Sequence, residues 1–318
     1  MNALLVVNPK ARGLPRQERL RAAAAWLEEA GWQVRLQPTE GPGHATALAQ
    51  AVAQQGYDLV VACGGDGTIN EVVNGLAGSP TALGVVPGGT ANVWAKEAGI
   101  PRDPLKAIAI AAQGESRRID LGRAMGRAIP LRGSPGPGGL GKTERHFLLM
   151  AGLGFDGHVI HCLSLAAKER WGALAYILTG LREGVSYRGR EARISLDGEA
   201  FTTDLLFMVA GNTRSYGGVL EITRQARLDD GLLDVCLLTD GGLPRKLGHL
   251  LRLLARAHIG APGTLYRRAR RVEVDGPEPI FVQVDGELCG AAPIAIEAVP
   301  QALTVKLPPG GARKLLGS

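Results

Sequence analysis

The chain has 318 residues, and its 36 Lys and Arg against 30 Asp and Glu give a net charge of +6. That length favours two domains over one. A content of 45% hydrophobic and 21% charged residues excludes a disordered chain. The basic excess suits anionic partners such as nucleotide phosphates or acidic lipids. Nucleic acid is disfavoured, because the basic residues are scattered and no basic tract is interleaved with aromatic side chains.

Cysteine usage and the N-terminal residues indicate where the protein works. The four cysteines are far apart and lack metal-ligand spacing: Cys63, Cys162, Cys236 and Cys289. We predict that they are small buried residues in a reducing compartment. The first residues lack the charged start of a signal peptide, and no apolar run approaches the ~20 residues of a membrane span. We expect a cytoplasmic protein that associates transiently with the inner membrane surface if its substrate is a lipid.

Short apolar runs alternate with helical patterns through the first third of the chain. The runs predicted as strands are 3–7, 32–36, 58–62 and 82–86. The predicted helices are 16–30, 44–55, 69–76 and 91–98. This order predicts an α/β domain over residues 1–122, with an open, mostly parallel sheet covered by helices on both faces. Ligands of such sheets lie beyond the carboxyl ends of the strands.

The pattern changes after residue 122. Residues 132–142 are rich in Gly and Pro, which predicts an exposed hairpin tip or insertion. Further strand-like segments are 146–151, 191–196, 205–210, 232–238, 271–274, 280–284 and 303–306, and helical patches lie near 164–180 and 244–258. We predict a β-rich second domain over residues 123–306, followed by a tail over 307–318 that is frayed from residue 310 onward.

A glycine-rich turn at residues 63–71 follows the third predicted strand and opens a helix; its sequence is CGGDGTINE. Glycines allow the backbone to approach phosphate oxygens, and a helix start offers free N–H groups. Asp66 would repel a bare triphosphate, so its presence suggests Mg²⁺ or an ordered water between the two. The alternative is a tight turn in which Thr68 and Glu71 form a capping box.

Two further loops follow neighbouring strands. Residues 85–92, VVPGGTAN, also come at a strand end and open a helix. Two such turns on successive strands would place two anion-binding helix starts side by side, which turn chemistry alone does not explain. The loop from Asn8 to Gly13 makes a third on the same edge, where Lys10 and Arg12 either meet phosphate or are solvated. The spacing fits neither the dinucleotide fingerprint nor the Walker loop.

These residues resemble the diacylglycerol kinase catalytic-domain family, which includes bacterial lipid kinases and is related to sphingosine kinases and NAD kinases. The resemblance covers nearly the whole chain, with its motifs in the expected order. The matching segments are GGDGTINEVVN (64–74), PGGTAN (87–92), NTRSYGGVLEI (212–222), ARLDDGLLD (226–234) and QVDGELCG (283–290). The resemblance implies an NAD kinase-like α/β domain, a β-sandwich-like second domain, and ATP in the cleft between them.

The resemblance also implies roles for particular residues. Glu287 would be the catalytic base, with Asp285 in the Mg²⁺ and water network. Asp285 in place of Glu287 as the base is the alternative, and Asp66 is the third residue that we expect to be catalytic. A second Mg²⁺ would be held by Asp230 and by the backbone carbonyls of Arg227 and Leu232. The residues implied to contact the nucleotide are Asn8, Pro9, Lys10, Ala11, Arg12, Thr39, Gly65, Asp66, Gly67, Thr68, Ile69, Asn70, Glu71 and Thr90.

Two sequence features qualify this assignment. Many bacterial members carry Asp and Phe after the Asn of the second glycine motif, whereas Asn92 is followed here by Val93 and Trp94. A water or metal contact made by that Asp would be absent, which bears on the substrate subclass. Asp-Gly is also a common hairpin turn, and residues 197–199 repeat the Asp-Gly-Glu triplet.

We therefore expect an ATP- and Mg²⁺-dependent lipid kinase that phosphorylates a lipid hydroxyl at the membrane surface, with diacylglycerol the favoured acceptor. The chemistry requires a positioned γ-phosphate, neutralised charge and an oriented hydroxyl. The alternatives are an NAD kinase, which shares the Gly-Gly-Asp-Gly turn, and a nucleotide- or lipid-binding protein without turnover. A homodimer is left open. The histidines have no ligand spacing and are interpreted as structural.

Overall fold

The computed structural model describes residues 1–14, 17–127, 142–162, 179–180, 182–184, 186–313 and 315–317. The chain forms two compact units. The first comprises Met1–Leu121, Leu228–Asp230 and Pro300–Ser318, and the second comprises Gly122–Arg227 and Gly231–Val299. The predictions for residues 132–141, and for the helical patch as far as residue 178, lie outside the described residues.

The first unit is built on a parallel sheet. Its strands are β1 (Asn2–Val7), β2 (Gln33–Pro38), β3 (Leu59–Gly64) and β4 (Ala82–Pro87). They pair in the order β2-β1-β3-β4, all parallel, and Thr304 and Val305 of the last strand of the chain pair in parallel with β4. Both β3 and β4 are buried along their whole length, which explains their continuous apolar sequences. The predicted α/β fold class is confirmed.

Five helices accompany this sheet. They are α1 (Gln17–Glu29), α2 (His44–Gln54), α3 (Asp66–Leu76), α4 (Val93–Ala98) and α5 (Pro104–Gln113). Gly75 of α3 lies against α2, where a Cβ would come within 2.5 Å of the Thr46 carbonyl oxygen. The sequence patterns did not predict α5, although the Asp103 side chain caps its first turn by accepting the Lys106 N–H.

The second unit is antiparallel and strand-rich. Its described elements are β5 (Glu115–Arg127, which begins in the first unit), β6 (Lys142–Phe147), β7 (Met150–Gly154), α6 (Phe155–Cys162), β8 (Arg190–Leu196), β9 (Glu199–Gly211), β10 (Ser215–Tyr216), β11 (Leu220–Glu221), β12 (Leu233–Thr239), α7 (Gly242–Leu254), β13 (Thr264–Ala269), β14 (Arg271–Asp275), β15 (Phe281–Val284) and β16 (Glu287–Leu307, which ends in the first unit). The pairings β9-β7-β15-β16-β14-β8-β9 form a closed circuit. Residues such as Met208, Val235 and Val282 fill its core. The predicted β-rich, sandwich-like domain is confirmed.

The C-terminal residues are anchored in the first unit, contrary to the expectation that residues from 310 onward are frayed. Leu315 is buried, and its carbonyl accepts the Leu228 N–H at 2.7 Å. The Gly317 N–H lies 2.8 Å from one Asp229 carboxylate oxygen and 2.9 Å from the other. Sequence reasoning missed this because the partners are about 90 residues away along the chain.

The cysteines also differ in part from the prediction. All four are free thiols, and Cys63 and Cys236 are buried, but Cys162 is exposed and Cys289 is half-buried. Burial raises the pKa of both Cys63 and Cys236 to about 12, so these two thiols are unreactive. Within the described ranges, no helix has the length and apolar character needed to cross a membrane.

Candidate active site

Four loops follow the carboxyl ends of the parallel strands of the first unit. Asn8 follows β1, Thr39 follows β2, Gly65 follows β3 and Gly88 follows β4. The Thr39 N–H donates to the Val7 carbonyl at 2.8 Å, and the Gly88 N–H donates to the Gly64 carbonyl at 2.7 Å. Because parallel strands end on one edge of a sheet, these loops form a single surface.

The two glycine-rich turns touch each other through their backbones. A Cβ on Gly89 would lie 2.6 Å from the Gly65 Cα, and a Cβ on Gly65 would lie 3.1 Å from the Gly89 Cα. Gly13 approaches the same turn, since its N–H donates to the Gly88 carbonyl at 2.9 Å. Glycine is therefore required here for close approach between loops.

Two asparagine side chains fix these loops. Asn8 donates from Nδ2 to the Thr68 hydroxyl at 3.0 Å and accepts the Lys10 N–H at 3.0 Å. Asn92 bonds reciprocally with Gly89, because its Oδ1 accepts the Gly89 N–H and its Nδ2 donates to the Gly89 carbonyl, both at 2.7 Å. Asn92 has φ of 48°, a conformation that asparagine tolerates better than most residues. The loops are thus held in place by side chains of the sequence motifs.

Asp66 lies at the first position of α3 and points toward the start of α4. Its Oδ1 accepts the Trp94 N–H at 3.4 Å. Burial raises the pKa of the Asp66 carboxyl, and hydrogen bonds from backbone N–H groups of Trp94, Val93 and Asn92 oppose that rise only in part. The start of α4 is therefore occupied by a carboxylate of the protein itself, and α3 remains as the helix start available to an anion.

The raised pKa of Asp66 predicts a pH-dependent effect of Asp66→Asn on the ligand-free protein. The folded state binds the Asp66 proton more tightly than the unfolded state, whose carboxyl pKa is about 3.9. Wild type therefore loses stability, relative to the neutral variant, as the pH rises from about 4 through the raised pKa. Urea unfolding at pH 4 and pH 7 measures the free energy of unfolding of the variant and of wild type. We expect the value for the variant minus the value for wild type to be larger at pH 7 than at pH 4. A difference that is constant or moves the other way would contradict the assignment.

Glu71 caps a neighbouring helix. One carboxylate oxygen accepts the Gly43 N–H at 3.0 Å and the other accepts the Ala45 N–H at 3.1 Å, at the start of α2. The N-cap residue of α2 is Gly43, which has no side chain to serve this purpose. The alternative of a Thr68–Glu71 capping box is wrong, because α3 begins at Asp66 and the Thr68 hydroxyl bonds to Asn8.

Glu71→Ala will lower the free energy of unfolding of the ligand-free protein by about 1–2 kcal/mol. The change removes two hydrogen bonds to a helix N-terminus together with a favourable charge–dipole interaction. Urea unfolding of the variant measures this loss, and Glu28→Ala, an exposed carboxylate on α1, is the matched control. Equal stability of the two variants would show that Glu71 has no capping role.

The other predicted nucleotide-contact residues differ in what they can offer a ligand. The side chains of Thr68, Ile69 and Asn70 are buried, so these three residues can offer a ligand only backbone groups. Several of the remaining side chains are exposed: Pro9, Lys10, Arg12 and Thr90. Thr39 and Ala11 are half-buried. Val93 and Trp94, which follow Asn92, are buried.

In the second unit, Asp285 and Gly286 form the two-residue turn between β15 and β16. Both have positive φ, 46° and 83°, as a type I′ hairpin turn requires. The Asp285 carboxylate accepts the N–H groups of Leu148, Leu149 and Met150 at 2.9–3.0 Å. Asp285 thereby ties the hairpin to the start of β7.

A second motif is attached to the same segment. Asn212 donates from Nδ2 to the Leu148 carbonyl at 3.0 Å, and the N–H groups of Asn212 and Thr213 donate to the Leu149 carbonyl. Residues 148–150 therefore connect the Asn-x-x-x-x-Gly-Gly turn with the Asp-Gly-Glu hairpin. The two motifs are 73 residues apart in sequence, counted from Asn212 to Asp285.

Glu287 is the first residue of β16 after this turn. Its Oε2 lies 2.6 Å from a guanidinium nitrogen of Arg145, and both side chains are only partly exposed. The ion pair orients the carboxylate. The other Asp-Gly-Glu triplet, residues 197–199, makes the same turn with φ of 49° and 93°. Its carboxylate at Asp197 likewise accepts backbone N–H groups, from Arg270 and Arg271. The hairpin is therefore not itself diagnostic of catalysis.

Buried hydrogen bonds connect helix α6 with the hairpin that turns at Asp285 and Gly286. Asp156 is buried on α6, where it accepts Nε2 of Gln283 at 2.7 Å and the hydroxyl of Tyr216. Oε1 of Gln283 in turn accepts the Gly286 N–H at 2.7 Å. Sequence reasoning missed Asp156 and Gln283 as contributors, because neither stands in a recognisable spacing with Glu287.

Comparison with known proteins shows which proteins the two parts of the chain resemble. The model of the diacylglycerol kinase catalytic domain matches residues 2–124, and that of the YegS C-terminal NAD kinase beta sandwich-like domain matches residues 151–307. A diacylglycerol kinase of Bacillus subtilis (strain 168) is 32% identical over 295 residues, which cover 92% of this chain and 91% of that protein. One of Staphylococcus carnosus (strain TM300) is 30% identical over 285 residues, covering 89% and 87%.

The chain belongs to the diacylglycerol kinase family. It is a lipid kinase, as the sequence analysis predicted. The fold agrees as well: a crystal structure of a putative diacylglycerol kinase from Bacillus anthracis superposes with a TM-score of 0.78 at 24% identity, covering 98% of this chain and 96% of that one.

The segment in which the family resemblance implies a second Mg²⁺ contains residues of both units. Arg227 and Leu232 belong to the second unit and Asp230 to the first. Asp229 anchors the C-terminus through Gly317. A metal held by Arg227, Asp230 and Leu232 stays a prediction for this lipid kinase.

The structure also brings together His158, Cys162 and Glu183, which sequence spacing did not indicate. One ligand atom from each lies within 4.8 Å of the other two. His158 Nε2 lies 3.2 Å from Glu183 Oε2 and 3.5 Å from Cys162 Sγ. Hydrogen bonding accounts for these distances without an ion.

Proposed function

We propose that this lipid kinase transfers the γ-phosphate of ATP to the hydroxyl group of diacylglycerol. One observation carries the nucleotide half of the proposal. The turns at Gly65 and Gly89 touch through their backbones at the carboxyl ends of neighbouring strands, and the first of them opens helix α3. Such a surface presents N–H groups to phosphate oxygens without side chains in the way. The relatives named diacylglycerol kinase support diacylglycerol as the acceptor.

The triphosphate would contact the loops of the first unit. The turn from Gly65 to Thr68 offers backbone N–H groups, and exposed Lys10 and Arg12 offer positive charge. Of the side chains in this turn, the Asp66 carboxylate is the oxygen ligand that would hold Mg²⁺. When bound, Mg²⁺ would neutralise charge on the phosphate oxygens. Asp66, through its contact with Trp94, also holds the two glycine turns together.

Glu287 would accept the proton of the acceptor hydroxyl. In the transfer, the hydroxyl oxygen forms a bond to the γ-phosphorus while the bond from that phosphorus to the β–γ bridging oxygen breaks, and ADP leaves. The proton passes to the Glu287 carboxylate, which Arg145 orients. Asp285 would act as a positioning residue, because its carboxylate is bound by three backbone N–H groups.

The acceptor places the enzyme at a membrane surface. Diacylglycerol has two acyl chains and resides in bilayers, so the protein would bind the bilayer peripherally to reach it. The same chemistry on another lipid hydroxyl, such as that of phosphatidylglycerol or a sphingoid base, needs the same loops and the same base. An assay with different lipids is therefore needed to identify the acceptor.

Incubation of the purified protein with [γ-³²P]ATP, Mg²⁺ and mixed micelles of one acceptor each tests the proposal. The acceptors are dioleoylglycerol, phosphatidylglycerol, sphingosine and, without micelles, NAD. We expect labelled phosphatidic acid from dioleoylglycerol at a rate at least tenfold above the other products. Faster labelling of NAD would replace the proposal by an NAD kinase. Binding of ATP without any labelled product would replace it by a binding protein without turnover.

A further inference from the structure

Helix α7 carries an apolar face that the described residues leave uncovered. Nine large hydrophobic side chains are exposed in the described part of the chain, and five of them lie on this one 13-residue helix. They are Leu243, Leu247, Leu250, Leu251 and Leu254, each between 45% and 66% exposed. Their spacing places them on a single face of the helix. A concentrated apolar surface of this kind marks a binding site.

The opposite side of α7 attaches the helix to the second unit. His249 and Leu253 are buried, and His249 Nε2 lies 3.1 Å from the Thr239 carbonyl oxygen. Lys246 donates to the carbonyl groups of Gly184 and Tyr187. The helix is therefore held by its own contacts, and the leucine face is not needed for packing against the described residues.

The charged residues of α7 and of the segment after it are all basic, while Asp240 lies just before the helix and Glu221 lies 3.7 Å from Arg256. The sequence contains no Asp or Glu from Gly241 to Val272, whereas it has seven Arg and one Lys in that stretch. Three cationic side chains lie on α7 itself: Arg245, Lys246 and Arg252. The exposed Arg256 follows just after the end of the helix. A helix with leucines on one face and arginines beside it has the composition of a segment that lies in the plane of a membrane interface.

The charge pattern favours an anionic lipid surface over a second copy of the chain. A twofold contact through the leucine face would bring the arginines of two copies together, with no acidic residue on α7 to offset them. An anionic bilayer offers acyl chains to the leucines and negative headgroups to the arginines.

We propose that α7 is the membrane-docking element of the enzyme, with its leucine face among the acyl chains of an anionic phospholipid bilayer and its arginines at the headgroups. The proposal rests on the proposed function only in that a diacylglycerol kinase must reach a substrate held in a bilayer. It assigns that contact to a defined surface, and vesicle binding tests it without ATP or turnover.

The test compares wild type with the double variant L247S/L251S in sedimentation with vesicles of dioleoylphosphatidylcholine, with and without 50% dioleoylphosphatidylglycerol. Both positions are exposed, so the variant will fold. Leu105→Ser is the matched control, because Leu105 is also an exposed leucine, at 47% against 53% for Leu247 and 66% for Leu251, and lies on α5 of the first unit. We expect tight binding of wild type and of the control to anionic vesicles, weakened by salt, and binding of the double variant at least tenfold weaker.

Three results would overturn the proposal. The double variant could bind anionic vesicles as tightly as wild type, wild type could bind neutral and anionic vesicles equally, or wild type could be a dimer that the double variant dissociates. Activity separates this proposal from the proposed function. The double variant will phosphorylate monomeric dioctanoylglycerol at the wild-type rate and vesicle-embedded dioleoylglycerol at least tenfold more slowly. If the vesicles are bound as expected but wild type phosphorylates no acceptor, the proposed function is wrong and the proposed docking surface is still supported.

Discussion

Replacing Glu287 by glutamine will lower kcat for the proposed phosphorylation of diacylglycerol by about a hundredfold to ten-thousandfold and leave the affinity for ATP unchanged. Glutamine keeps the size of the side chain and can still accept a hydrogen bond from Arg145, but it cannot take the proton of the acceptor hydroxyl. Initial rates at saturating lipid, together with calorimetric titration of ATP, measure the two quantities separately.

Glu199→Gln is the matched control for this substitution. Glu199 follows an Asp-Gly turn of the same geometry on an exposed hairpin of the same unit, so the two changes differ in location and not in chemistry. The control will retain wild-type kcat. A similar kcat for Glu287→Gln and Glu199→Gln would remove Glu287 from the mechanism and leave its ion pair as a structural feature.

Gly89→Ala will weaken ATP binding by at least a hundredfold and lower the free energy of unfolding by about 1–3 kcal/mol. The added Cβ would lie 2.6 Å from the Gly65 Cα, a backbone atom that no rotamer change can move. The two turns must separate, which displaces the N–H groups of the first turn of α3. Calorimetric titration of MgATP and urea unfolding measure the two effects.

Gly41→Ala is the control for the glycine substitution. Gly41 lies in the same unit, has no atom within 4 Å of an added Cβ and does not need positive φ. Its replacement will leave ATP affinity and stability close to wild type. Wild-type affinity in Gly89→Ala would show that the contact between the two turns is not part of the nucleotide site.

The parallel sheet of the first unit could be predicted because its central strands are buried throughout. Burial on both faces selects continuous apolar sequences such as those of β3 and β4, and the glycines that end them are visible by inspection. Strand β5 was missed for the opposite reason. Only some of its residues are buried, and its glycines at 122 and 126 make room for side chains from other strands. A Cβ on Gly122 would lie 1.9 Å from the Phe147 ring.

The motifs predicted which residues occur at the site. They did not predict what the side chains of those residues contact. Glu71 stands in a glycine-rich nucleotide motif and caps α2, 26 residues earlier in the chain. Asp285 stands in an Asp-Gly-Glu motif and binds backbone groups 135–137 residues away. Each of these contacts depends on how strands pair across the fold, and a single sequence carries no record of that pairing.

Hydrogen–deuterium exchange with and without MgATP tests whether the loops of the first unit bind the triphosphate. We expect slower exchange of the backbone amides of residues 8–14, 64–70 and 88–93 when MgATP is bound, with no change in residues 242–254 of the proposed docking helix. If calorimetry shows that MgATP is bound while exchange in all three loops is unchanged, these loops do not bind the triphosphate.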